Sequence, residues 1–246
     1  MDKDHEHETS NEKKIIIRRD GPYVVKGNIP LVSRAQVVSE YGEPLTWKKD
    51  KTFETPETYE LCRCGHSHEK PFCDGTHNDF DFDGTETADT RSITERQLSF
   101  PGGTHIHVKF DNTLCMESGF CGTRSAGILQ LLHDATDTDV RAHVMAMIER
   151  CPSGSLTYSI EEGEPDIEPD LPQQVAVTTE ITSDGPIEGP LWVMGGIPIE
   201  RSDRQPFETR NRVTLCHCGL SGNKPLCDGT HRHENVQYLG DPRKKR

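Results

Sequence analysis

A sixteen-residue stretch of sulfur and nitrogen donors occurs twice in this chain of 246 residues. The first copy is Cys62-Arg63-Cys64-Gly65-His66-Ser67-His68-Glu69-Lys70-Pro71-Phe72-Cys73-Asp74-Gly75-Thr76-His77. The second is Cys216-His217-Cys218-Gly219-Leu220-Ser221-Gly222-Asn223-Lys224-Pro225-Leu226-Cys227-Asp228-Gly229-Thr230-His231. Both read C-x-C-G-x-S-x-x-K-P-x-C-D-G-T-H without a gap. Thiolates are soft donors that hold zinc or iron–sulfur clusters, and neutral imidazole suits the same metals. Two cysteines one residue apart are badly placed to bridge each other, so the C-x-C pair reads as two sulfurs offered to one metal. Gly75 and Gly229 suit a turn with positive φ or a close approach of backbone to sulfur. Asp74 and Asp228 stand where a carboxylate can cap the loop around the donors.

Both stretches resemble the CDGSH iron–sulfur motif of the mitoNEET-type proteins, C-x-C-x2-[ST]-x3-P-x-C-D-G-[SAT]-H, and no motif position departs from it. The resemblance implies one 2Fe-2S cluster per motif. The ligands carried over are Cys62, Cys64, Cys73 and His77, then Cys216, Cys218, Cys227 and His231. It further implies two β-rich units intertwined as a pseudo-symmetric β-cap, here within one chain. A structural zinc site is the alternative, since zinc also takes three sulfurs and one nitrogen, although it more often spaces its first pair by two to four residues. Histidine in place of cysteine removes negative charge, tends to raise a cluster's potential, and adds a group that titrates near neutral pH.

The repeat extends beyond the cysteines. Gly21 to Leu31 and Gly189 to Ile199 share G-P-[YL]-x-V-x-G-x-I-P-[LI], and Glu54-Thr55 and Leu61 match Glu208-Thr209 and Leu215. Short β-rich runs broken by Gly and Pro read as strands joined by turns. The first copy carries extra residues around Val37 to Lys51, expected to form a longer loop. The expected fold class is α+β, organised as a flexible tail over 1–19, a first CDGSH unit over 20–90, an inserted module over 99–162, a linker over 163–183, and a second CDGSH unit over 184–246.

The insertion has its own pattern. Thr104 to Phe110 alternates, with Ile106, Val108 and Phe110 on one face and His105 and His107 on a face read as solvated. Asp137 to Arg150 reads as a helix, with Val140, Val144, Met147 and Ile148 at helical spacing and Thr136 or Asp137 as N-cap. Leu156 to Ile160 reads as a returning strand. The order of strand, Cys115 to Cys121 loop, helix, Cys151-Pro152 and strand resembles the divergent mono-cluster 4Fe-4S ferredoxins that end in R-C-P-S-G-[AS]-L. The usual loop is C-x2-C-x2-C followed by a distant C-P; here Ser118 holds the middle position. Cys115, Cys121 and Cys151 form a 3Fe-4S-type set. A 4Fe-4S cluster needs a fourth donor, for which Ser118, water and His133 are weak candidates. A ferredoxin-like fold that has lost its cluster is the alternative.

Composition narrows the function. Hydrophobic residues make up 32% of the chain, and the mean hydropathy is -0.72. Small modules stapled by metals fit this better than one large core. The nine cysteines fall in metal-type groups of three, which points to a reducing compartment and a cytoplasmic protein. The N-terminus, with His5 and His7, has neither the apolar core of a signal peptide nor the make-up of a transit peptide. No apolar run is long enough to cross a membrane, so no membrane partner is expected. A net charge of -13 disfavours nucleic acid, and the closing Arg243-Lys244-Lys245-Arg246 reads as a solvated tail. No nucleophile elbow, P-loop or dinucleotide fingerprint occurs, so no catalytic residue is assigned and an enzyme is not expected. Electron transfer to a redox partner protein is the favoured function. The alternatives are a 2Fe-2S carrier or sensor serving an apo iron–sulfur acceptor, and a metal-stapled interaction protein.

Overall fold

The computed structural model describes residues 12–233. Residues 1–11 of the tail expected over 1–19, and the basic run at 243–246, lie outside them. Twelve strands form three sheets: β1 (Lys14–Ile17), β2 (Tyr23–Lys26), β3 (Leu31–Val38), β4 (Pro44–Phe53), β5 (Tyr59–Leu61), β6 (Leu98–Ser99), β7 (His107–Phe110), β8 (Leu156–Ser159), β9 (Gln174–Thr182), β10 (Gly185–Met194), β11 (Ile199–Glu200) and β12 (Arg212–Leu215). Helices α1 (Ile93–Arg96), α2 (Ile128–Leu131) and α3 (Thr138–Arg150) belong to the middle of the chain.

The two repeats exchange strands. The first sheet runs β11-β1-β2-β5 and the second β12-β10-β9-β3-β4. The strand that follows the shared I-P leaves its own unit and joins the other. Leu31 to Ala35 of β3 pair in parallel with Val175 to Thr179 of β9. Ile15 and Ile16 of β1 pair in parallel with Ile199 and Glu200 of β11. Period-two alternation puts Ile15, Ile17, Tyr23 and Val25 of one sheet against Val175, Leu191, Val193 and Leu215 of the other, in one shared core. The intertwined β-cap implied by the resemblance is therefore present, and the two units share a core where composition suggested separate small ones.

Three boundaries need correction. Residues 14–17, expected in the flexible tail, form β1, because Ile15 and Ile17 fill the shared core. Residues 174–182, expected in the linker, form β9, whose Val175 and Ala176 are fully buried. The expected loop around Val37 to Lys51 is a hairpin in which β3 pairs antiparallel with β4.

The inserted module follows its predicted order. A three-stranded sheet β6-β7-β8 packs on α3. Asp137 caps the helix, its carboxylate accepting from the N–H groups of Asp139 and Val140. Val144, Met147 and Ile148 face Ile106, Val108 and Leu156. The helix ends at Cys151, where the following Pro152 disfavours further helical backbone.

Candidate metal centres

Each duplicated loop opens directly from a strand, β5 into Cys62 and β12 into Cys216, so the core fixes where its first sulfur stands. The two loops fold alike down to single bonds. Cys62 N–H donates to Pro71 O at 2.9 Å and Cys216 N–H to Pro225 O at 2.8 Å. Ser67 Oγ donates to Phe72 O at 2.6 Å and Ser221 Oγ to Leu226 O at 2.7 Å. Asp74 accepts from Thr76 N–H and Asp228 from Thr230 N–H, both at 3.0 Å. Gly75 and Gly229 take φ of 89° and 88° where the chain turns into the short 3-10 helix that carries the histidine.

The donors come in pairs. Sγ of Cys62 and Cys64 lie 3.8 Å apart, as do those of Cys216 and Cys218. Cys73 Sγ lies 3.4 Å from His77 Nδ1, and Cys227 Sγ lies 3.4 Å from His231 Nδ1. Among the described residues, no three His, Cys, Asp or Glu side chains gather around a point that would hold one metal ion. Within each C-x-C pair the second thiol hydrogen-bonds the first sulfur, holding Cys62 and Cys216 below the usual thiol range and pushing Cys64 and Cys218 up. Burial raises Cys73 and, further, Cys227. A charge-compensating metal is what would let these buried sulfurs all lose their protons. The donor set therefore fits a thiolate-bound cluster.

The chain matches the family described as iron-binding zinc finger CDGSH type over residues 20–78 and again over 188–232. Between them, residues 102–161 match the family described as divergent 4Fe-4S mono-cluster. It is an iron–sulfur protein, with two regions similar to the CDGSH family and one similar to the mono-cluster family between them. No curated protein and no solved structure shows a significant match to the chain.

The two CDGSH loops touch. A Cβ on Gly65 would stand 2.6 Å from the Cys218 carbonyl carbon, and one on Gly219 would stand 2.7 Å from that of Cys64. His217 bridges the loops, its Nδ1 2.7 Å from Cys62 O and its Nε2 2.8 Å from Glu188 Oε1. Burial works to raise the Glu188 carboxyl, but His217 and Lys70 outweigh it and hold it at about 2. Arg63 takes the corresponding place in the first loop, donating to Arg18 O and Gly84 O.

The mono-cluster module brings Cys115, Cys121 and Cys151 within electrostatic reach: burial raises the Cys115 and Cys121 thiols, Cys151 raises both further, and Cys121 adds to the rise at Cys115. Burial also presses Cys151 upward, but the Arg212 guanidinium and the hydroxyls of Ser153 and Ser155 outweigh it and lower its pKa. The Ser153 hydroxyl lies 3.4 Å from Cys151 Sγ. Of the weak candidates for a fourth donor, Ser118 is buried and His133 is exposed on the surface. His105 is exposed beside Glu161, which agrees with the solvated face read for it.

This module leans on the second CDGSH loop. Glu117, inside the Cys115 to Cys121 loop, packs against Gly229, where a Cβ would stand 3.0 Å from its Cγ. Asn223 Nδ2 donates to Thr113 O at 2.6 Å. Arg212 of β12 donates to the carbonyls of Ile148, Glu149, Cys151 and Leu156. The β3–β4 hairpin covers the other side: Trp47 Nε1 donates to Arg150 O at 3.1 Å and Gln36 Nε2 to Ser118 O at 2.9 Å. The sequence reading missed Gly65, Gly219, Arg212, Trp47 and Glu117. Only the two glycines left a signal there, as the residue both copies carry after C-x-C.

Proposed function

We propose that this chain is an electron-transfer protein with two 2Fe-2S clusters, one on Cys62, Cys64, Cys73 and His77 and one on Cys216, Cys218, Cys227 and His231. A third cluster, 3Fe-4S or 4Fe-4S, sits on Cys115, Cys121 and Cys151. The pairing of the donors carries the reading. With metal–sulfur bonds of about 2.3 Å, two thiolates on one tetrahedral metal stand about 3.7 Å apart, the spacing found within each C-x-C pair. Two such pairs per loop suit two irons, one pair on each. A lone zinc draws four donors around one point.

Bound clusters would supply one-electron redox chemistry. The protein's part is to hold the donors, keep water away and set the sites side by side. Cys62, Cys216 and Cys227 are buried, as is Cys151. Contact runs from the first loop to the second through Gly65 and Gly219, and from the second to the middle module through Gly229 and Glu117. This contiguity favours a relay over three separate stores. The acidic balance of the chain suits a redox partner with a basic face. Nine unpaired cysteines suit a reducing compartment such as the cytoplasm.

One observation favours delivery of a cluster to an apo acceptor protein as a second reading. His77 lines an open cleft that Cys73 also borders.

The test is anaerobic purification followed by iron and sulfide analysis and EPR. A coloured protein with about two irons per CDGSH loop, reduced and reoxidised without loss of iron, is the expected result. A colourless protein containing zinc would overturn the reading, as would double His77→Ala, His231→Ala protein with unchanged colour and iron.

A further inference from the structure

The two histidine donors have different surroundings. His231 turns Nδ1 to Cys227, and its Nε2 lies 2.9 Å from Glu180 Oε1. The Glu180 side chain is wholly buried, and its other oxygen is ion-paired with Arg232. His77 turns Nδ1 to Cys73 in the same way. Its Nε2 has no hydrogen-bond partner among the described residues, and it borders an open cleft of about 520 Å³ beside Arg18 and Arg19.

Chain length builds this difference. The register partners Ile17 and Tyr23 are joined by five residues, and the corresponding Val177 and Leu191 by thirteen. The added length makes β9 and β10 a long hairpin that carries Glu180 over the second loop. Gly189 makes room for it, since a Cβ there would stand 2.9 Å from Glu180 Oε1.

A metal-bound imidazole whose outer N–H is held by a carboxylate is fixed in orientation and made a stronger donor. We infer that Glu180 is a positioning residue that fastens His231 to its iron, so that the second CDGSH site retains its cluster and the first, with His77 unbraced at the cleft, exchanges. This rests on the reading of both loops as 2Fe-2S sites. Exchange is ligand substitution: the Nδ1–iron bond of His77 breaks with its electron pair kept on nitrogen. A thiolate of an apo acceptor brings its own pair to the iron, and no oxidant or reductant is needed.

The test uses the full-length holoprotein at neutral pH, with iron and sulfide counted first and excess ethylenediaminetetraacetate added. Loss of the 2Fe-2S centres is followed by EPR of samples reduced at timed intervals, which separates them from the middle module. Two phases of similar amplitude, about tenfold or more apart in rate, are expected. His77→Cys removes the fast phase alone. Glu180→Gln speeds the slow phase about tenfold, leaves the fast one unchanged, and raises one of the two 2Fe-2S potentials. A single phase in the unaltered protein overturns the inference, as does a slow phase and a potential that Glu180→Gln leaves unmoved. Should Glu180→Gln fail to fold, the phase assignment decides: loss of the slow phase in His77→Cys overturns the inference. Protein without iron and sulfide at the outset overturns the 2Fe-2S reading itself.

Discussion

Gly65 lies against the peptide of Cys218 so closely that a Cβ would stand 2.6 Å from its carbonyl carbon, with φ at +82°. Gly219 meets Cys64 in the same way. Alanine at either position meets backbone that cannot yield cheaply and takes a left-handed conformation it rarely adopts. Gly65→Ala is expected to cost about 3 kcal/mol or more. Because the contact is shared, either substitution should lower iron in both CDGSH loops. Iron per protein and thermal unfolding check this; a loss confined to the substituted loop would contradict it.

Arg212 ties the mono-cluster module to the second CDGSH sheet. Its guanidinium is fully buried, serves four carbonyls of the module and pairs with Glu168 at 2.9 Å. Arg212→Met leaves those acceptors without a donor and is expected to cost about 3 kcal/mol. Arg212→Lys should recover only part, because an ammonium cannot spread its donors as the planar guanidinium does. Chemical denaturation gives the magnitude, and the middle module's EPR signal should be lost before the 2Fe-2S signals.

Trp47 tests the hairpin that the first repeat carries and the second lacks. Its ring packs against Phe120 and Trp192, and its N–H reaches Arg150 O next to Cys151. Trp47→Ala is expected to cost about 3 kcal/mol or more. Trp47→Phe, which loses mainly the hydrogen bond, should cost about 1 kcal/mol. Both should destabilise the middle centre first, seen as faster loss of its EPR signal in air with the CDGSH absorbance unchanged.

Ser118 holds the position where a mono-cluster ferredoxin places its second cysteine. Ser118→Cys completes the C-x2-C-x2-C series. If the native set holds three irons, the variant should gain about one iron and lose the EPR signal that an oxidised 3Fe-4S cluster shows as isolated. An unchanged signal and iron count would mean that the residue does not face the cluster.

Much of this architecture was legible because it repeats. The shared G-P-[YL]-x-V-x-G-x-I-P run marks β2 and β10, and the cysteine motif marks both loops. The α3 helix was legible from Val144, Met147 and Ile148 at helical spacing behind the Asp137 cap. What escaped was short or non-local. β1 is four residues between charged neighbours; it pairs with β2 nearby, but its other edge is covered by Ile199 and Glu200, far along the chain. β9 follows an acidic, proline-bearing stretch that reads as linker. Glu180 is an ordinary glutamate in sequence; only the folded hairpin brings it to His231.

The exchanged strands also set an order of events during synthesis. Domains at the N-terminal end ordinarily fold first as the chain emerges. Here β1 is exposed along one edge until Ile199 and Glu200 arrive to cover it, and β3 lacks its parallel neighbour until β9 is made. The first sheet therefore closes only after most of the polypeptide exists, and a fragment that stops before residue 199 would leave a bare β edge open to another chain.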